Sequence, residues 1–215
     1  MFNNINSQLK LNTLAGFEHI KKTWDKKLQC WSARLLPGEY YVTNDDECIA
    51  TVLGSCISVC IFDPSIKLGG MNHFMLPAHN EHSSNSWGDP TSSSTRYGNF
   101  AMEYLINSII KQGGRKKSFE AKIFGGGQVL ANMSDIGQRN IIFAFDYLRK
   151  ENINVIASDV GDIYPRKVVF FPKTGKVKMK HLAADKNVNI EKEERAYIKS
   201  MQTKKASPDD NIELF

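Results

Sequence analysis

The chain has 215 residues, 41% of them hydrophobic, and carries 28 Lys and Arg against 23 Asp and Glu, a net charge of +5. That size and apolar content suit one packed core with tails and argue against a disordered chain. No apolar run approaches the roughly 20 residues that span a bilayer, the opening MFNNINSQLK lacks a signal peptide's apolar stretch, and no dense basic stripe with interleaved aromatics invites nucleic acid. A cytoplasmic protein with neither membrane insertion nor a nucleic-acid partner is expected.

In chain order, residues 1–12 are polar and are expected to be flexible. Phe17, Ile20, Trp24 and Leu28 then recur three or four apart, which predicts an amphipathic helix. Leu36-Pro37-Gly38 is a turn, residues 40–42 and 49–53 read as strands, and residues 44–47 turn between them. Ile57, Val59 and Ile61 alternate with Ser58, Cys60 and Phe62, the period-two pattern of a largely buried strand. Asp63-Pro64 ends it, residues 63–70 turn, and residues 71–76 return as the second arm of a hairpin. A midpoint near Ser65 sets Cys56 opposite His73, with Cβ atoms roughly 4.5–5.5 Å apart. A slip of one residue would send the two side chains to opposite faces.

Residues 78–98 form a long polar stretch, expected to wall or cover whatever site the hairpin carries. Its His79 and His82 read as exposed histidines rather than a metal pair, since further ligands are missing. Residues 100–112 predict a helix capped by Asn99 and stopped by Gly113-Gly114, and residues 121–124 a short strand. The triplet Gly125-Gly126-Gly127 fits no phosphate-binding pattern, so close backbone approach against the hairpin is the better account. Residues 136–150 predict a second helix, and 155–157, 168–171 and 177–182 are strands. Residues 190–201 predict a charged helix with Glu191 and Arg195 at i,i+4 spacing. The tail is polar and then apolar; disorder is the plain reading, and a docking peptide anchored by Leu214 and Phe215 the alternative.

Only one arrangement here reads as chemistry. Protonated cysteine is a weak nucleophile, and an adjacent imidazole lowers its pKa and carries its proton, so Cys56 with His73 makes a minimal acyl-transfer pair. Gly54 and Ser55 just before it permit an unusual backbone whose N–H groups could meet a developing oxyanion. The plainer reading is a buried cysteine and a satisfied core histidine. Cys30, Cys48 and Cys60 show neither a disulfide framework nor C-x-x-C spacing and are read as structural, in a reducing compartment. The residues imply no cofactor and no metal. The same pair serves proteases, amidases and transglutaminases, so the chemistry does not choose the substrate.

LGSC, then VC, D-P and GGMNHFMLP over residues 53–77 resemble the signature of the chemoreceptor glutamine deamidases, the CheD family. GFEHI, WDKK and LLPGEYYVT before it, and RYGNFAME, KIFGGG and IGQRN after it, are similar to the family in the same order. The resemblance implies an α+β fold: a single-domain α/β sandwich of mixed sheet flanked by helices, like the deamidase domain of the cytotoxic necrotizing factors. It would comprise residues 13–185, including the amino-terminal helix, followed by a charged helix and tail over 186–215. It implies hydrolysis of receptor glutamine side chains to glutamate through a thioester on Cys56, with His73 as acid and base. Thr51 would be the third member, although some relatives have the threonine one position earlier, at Ala50 here. Expected partners are methyl-accepting chemotaxis receptors as substrate and a CheC-type phosphatase. A regulatory binding module is the alternative function, and a cysteine protease a third. Gly161-Asp162 and Pro165-Arg166 depart from the family's paired glycines and Gly-Arg, which touches local surface shape and partner binding rather than the cysteine chemistry.

Overall fold

The structure, a computed structural model, describes residues 13–77, 93–129, 134–183 and 187–204. The alternating run at Ile57 builds β5 (Ile57–Asp63), the middle strand of a five-stranded sheet, buried on both faces along most of its length. β6 (Leu68–Asn72) and β3 (Tyr40–Thr43) extend that sheet on one side, and β7 (Glu120–Gly125) and β8 (Asn154–Val160) on the other. A second sheet has the order β1 (Lys22–Asp25), β2 (Cys30–Arg34), β4 (Glu47–Leu53), β9 (Arg166–Phe171), β10 (Lys176–His181). Each sheet mixes parallel and antiparallel pairs. Ile49, Leu53, Val168 and Phe170 of one sheet share a single apolar cluster with Val59, Ile61, Met71 and Ile123 of the other. Helices α1 (Ser93–Lys111) and α2 (Ser134–Lys150) cover the sheet that contains β5. α3 (Asn187–Lys204) follows β10. This is the single-domain α+β architecture expected.

Three expectations need correction. No helix forms over residues 14–28. Phe17 and Ile20 enter the core from turns, and β1 and β2 make a hairpin in which Trp24 meets Trp31 edge to face, ring centroids 5.8 Å apart. The hairpin wins because Asp25 Oδ1 accepts from the N–H groups of Lys27 and Leu28, and Gln29 takes a left-handed φ of 53°.

The turn after β5 is also shorter than expected. Asp63 stays in the strand, paired with Leu68, while its Oδ1 accepts from the N–H and hydroxyl of Ser65 at 3.0 and 2.5 Å. The return strand therefore begins three residues early, and the register moves by two.

Finally, α1 starts at Ser93, so Asn99 lies inside the helix rather than at its cap. Gly98, which reads as loop in sequence, lies in α1, and the close packing on α2 requires glycine there: a Cβ would come 2.4 Å from the Phe143 ring. The rest of the expected polar stretch, residues 78–92 with His79 and His82, lies outside the described residues, as do residues 1–12 and the Leu214–Phe215 terminus. Among the described residues no helix is long and apolar enough to cross a membrane.

Candidate active site

Gly54, Ser55 and Cys56 are the three residues that carry the chain from β4 in one sheet to β5 in the other. Backbone groups at such a crossover have no strand ladder to satisfy them and must find other partners. Their carbonyls are taken from behind: Gly127 N–H donates to Gly54 O at 2.8 Å, Gly126 N–H to Cys56 O at 2.7 Å, and the Asn140 amide of α2 to Ser55 O at 2.8 Å. Asn140 Oδ1 in turn accepts from Leu76 N–H at 2.8 Å, tying the crossover to the segment after His73. Gly125 has a φ of 113°, and a Cβ there would lie 2.2 Å from Cys56 O, so the glycine triplet does serve close backbone approach.

The N–H groups of the crossover all point at one carboxylate. Gly54 and Cys56 donate to Glu194 Oε1 at 3.1 and 2.9 Å, and Ser55 donates to Oε2 at 3.0 Å. Successive N–H groups aimed at one anion form a nest, the arrangement an oxyanion hole requires.

His73 is fixed through both its backbone and its ring. Its N–H donates to Glu39 O at 2.9 Å and its carbonyl accepts from Gly38 N–H at 2.7 Å. Its Nδ1 lies 2.8 Å from Thr51 Oγ1, which is 2.9 Å from Leu35 O. A carbonyl only accepts, so the Thr51 hydroxyl donates to Leu35 and takes its second bond from Nδ1–H. That assigns the tautomer: the lone pair sits on Nε2, which is buried with no hydrogen-bond partner. Burial lowers the pKa of His73 to about 3, so the ring is neutral near pH 7 and Nε2 keeps a free lone pair.

Ile57 is bridged to Phe74. Continuing that pairing sets Cys56 opposite Met75 and His73 opposite Ser58, so the direct Cys56–His73 opposition expected from sequence is replaced by a diagonal one. A two-residue shift preserves the face, and diagonal neighbours lie about 7–8 Å apart at Cα, less between side chains.

The Cys56 thiol also departs from expectation. Burial raises its pKa well above the ordinary thiol value, and the charge of Glu194 and a hydrogen bond to it raise it further. With Glu194 in place the sulfur is held as a thiol, and the imidazole does not lower its pKa. Beside His73 opens a cleft of about 240 Å³ walled by Tyr97, Phe100 and Tyr104 of α1.

Gly54, Ser55 and Cys56 thus form one crossover between the two sheets and Thr51 and His73 one hydrogen-bonded pair, with Cys56 and His73 set diagonally across the strands and no hydrogen bond between His73 Nε2 and the thiol. Sequence reasoning missed Glu194 and Asn140. Glu194 left a readable trace, an acid at the centre of the i, i+4, i+8 row Ile190, Glu194, Ile198, whereas Asn140 is one polar residue inside a helical pattern. Arg166, at one of the departures from the family pattern, is fully buried and holds Asp159 at 2.6 Å and the Gly161 carbonyl. The loop it braces presents Asp162 O to Gln128 N–H at 2.7 Å, next to the glycine triplet. Among the described residues, no three His, Cys, Asp or Glu side chains come together as a metal site.

Residues 75–181 match the family model described as CheD chemotactic sensory transduction. The chain is 45% identical over 202 residues to the probable chemoreceptor glutamine deamidase CheD of Halorhodospira halophila, covering 94% of this chain and 93% of that protein. It is 49% identical over 207 residues to the protein of the same name from Saccharophagus degradans, with 94% and 93% covered. With that from Methylobacillus flagellatus it shares 49% identity over 194 residues, covering 89% and 93%.

Proposed function

The chain belongs to the CheD family of chemoreceptor glutamine deamidases, and from that premise we propose that it hydrolyses glutamine side chains of methyl-accepting chemotaxis receptors to glutamate, with Cys56 as nucleophile. The observation that carries this reading is the nest at Gly54, Ser55 and Cys56, which holds a glutamate carboxylate beside the cysteine.

His73 Nε2 takes the Cys56 thiol proton in the same step as the sulfur attacks the carboxamide carbon, so that no free thiolate is required. The oxygen that becomes negative rests in the N–H nest, where each such donor contributes roughly 10²–10³ in rate. His73 returns the proton to nitrogen as the C–N bond breaks, and ammonia leaves. A water, deprotonated by Nε2, attacks the thioester; the C–S bond breaks, the thiol is restored and the product is glutamate. Thr51 is a positioning residue that keeps Nδ1 protonated and Nε2 free. Each turnover adds one negative charge to the receptor.

The test is mass spectrometry of a receptor cytoplasmic fragment after incubation with the full chain and with Cys56→Ala. Glutamine-to-glutamate conversion by the first alone is expected. Conversion by both removes Cys56 from the role, and conversion by neither across several receptors favours the regulatory module that binds receptors or a CheC-type phosphatase.

A further inference from the structure

The carboxylate in the nest comes from the chain's own α3, and the manner of its placement is informative. Ile190 and Ile198, four residues to either side of Glu194, are buried with it along one ridge of the helix. A Cβ at Gly54 would meet both Glu194 oxygens and Ile190 Cγ2 at 3.0 Å, so α3 lies directly on the crossover. Further along, the Tyr197 ring covers Gly38, in the turn whose Gly38 N–H and Glu39 carbonyl bond the backbone of His73, and the Tyr197 hydroxyl meets that of Tyr97. The outer face stays in water, with Glu191 bonded to Arg195.

A packing helix has no need of an acid in the middle of its apolar ridge. Burying a carboxylate costs free energy unless donors replace its water, and among the described residues Glu194 has no ion-pair partner. Three backbone N–H groups of the candidate oxyanion hole do the replacing. Glu194 is therefore bound there as a ligand is bound. A glutamate side chain is also the group that deamidation would leave in that position.

We propose that α3 is a tethered product mimic: Glu194 fills the nest at Gly54–Cys56, so that α3 and a substrate glutamine occupy the site in turn. This rests on the deamidase reading for the word product, but the masking of Cys56 does not. Cys56 has no exposed surface while α3 is docked, so a substrate reaches it only when the helix lifts. Lifting also removes the negative charge beside the thiol and so favours the thiolate.

The experiment uses the full chain and needs no receptor. Alkylation of Cys56 by iodoacetamide is followed by peptide mass spectrometry in the wild type and in Glu194→Ala, with buried Cys60 as an internal reference for unfolding. Cys56 should react about tenfold faster or more in the variant while Cys60 is unchanged, because the docked state has lost its ligand. Glu193→Ala, in an exposed ion pair with Arg34, should leave the rate as it was. Equal Cys56 rates in wild type and Glu194→Ala would overturn the proposal.

A second variant keeps the side chain's size. Glu194→Gln places an amide in the nest, where Cys56 attacks its carbon, ammonia departs with the proton from His73, and water releases glutamate from the thioester. The full-length variant should gain the mass of an amide-to-acid conversion at residue 194, and the Cys56→Ala/Glu194→Gln double variant should not. Unmasking of Cys56 without receptor conversion would leave α3 as a lid and sink the deamidase reading; receptor conversion without unmasking would do the reverse.

Discussion

Among single residues, the chemistry of the site depends on which nitrogen of His73 holds the proton. The Leu35 carbonyl decides it through Thr51, two bonds away from the ring's working end. Thr51→Val keeps the shape and removes the hydroxyl, so Nδ1–H and Leu35 O lose their partner. Turnover of a receptor fragment should fall by up to about 100-fold, the lower range of what general acid–base catalysis supplies, and Thr51→Ser should restore it. A Val variant as active as wild type would remove Thr51 from the positioning role. His73 also marks stability. Its pKa falls from 6.5 to about 3 on folding, so the unfolded chain binds a proton that the folded chain refuses. The corresponding stability is fully present above pH 6.5 and is lost as pH falls from there toward 3. Between pH 6.5 and about 5, above the usual carboxylate range, the urea midpoint of the wild type should drop, and that of His73→Asn should drop less. Parallel slopes would contradict the neutral buried imidazole.

At the scale of elements, the site is a crossover clamped by a loop and a helix. Asn140→Ala would leave Ser55 O and Leu76 N–H buried and unpaired, at a cost of roughly 1–3 kcal/mol for each group. Denaturant unfolding should show that loss, together with slower turnover; Asn140→Asp, whose second oxygen would face the Ser55 carbonyl acceptor to acceptor, should recover none of the stability. Gly125→Ala combines an unfavourable φ with a Cβ that would strike Cys56 O, so it should displace the nucleophile and cost more than an ordinary surface change. Soluble Gly125→Ala protein with wild-type stability and turnover would refute the clamp. These elements also show what periodicity could and could not yield. β5 and α2 were readable from period two and 3.6, and the last hairpin from the apolar run over residues 168–171, the turn residues 173–176 and the alternation after them. The segment at Phe17 to Leu28 was not, since Asp25 capping and the left-handed Gln29 override apolar spacing that happens to match a helix. Gly98 hid the first turns of α1 because the reason for it, the Phe143 ring, lies on another helix.

At the scale of the molecule, two sheets share one apolar cluster, and the candidate site lies where the chain passes between them. Unfolding by heat should therefore be a single transition with equal calorimetric and van't Hoff enthalpies; two resolved transitions would show that the sheets are separate units. Cys56 and His73 could be picked out from the sequence because both sit on one hairpin, where strand parity alone relates them. Glu194 could not be assigned a role, since 138 residues separate it from Cys56 and only the docking of α3 brings them together. Central to the proposed mechanism is a covalent bond between Cys56 and the receptor side chain. Its most direct test is an acid quench of the full chain during turnover of a receptor fragment, followed by mass spectrometry of the Cys56 peptide. A receptor peptide joined to Cys56 with the loss of ammonia, absent in Cys56→Ala, is the expected result. Conversion of glutamine by Cys56→Ala at the wild-type rate, with no such adduct in either protein, would contradict it.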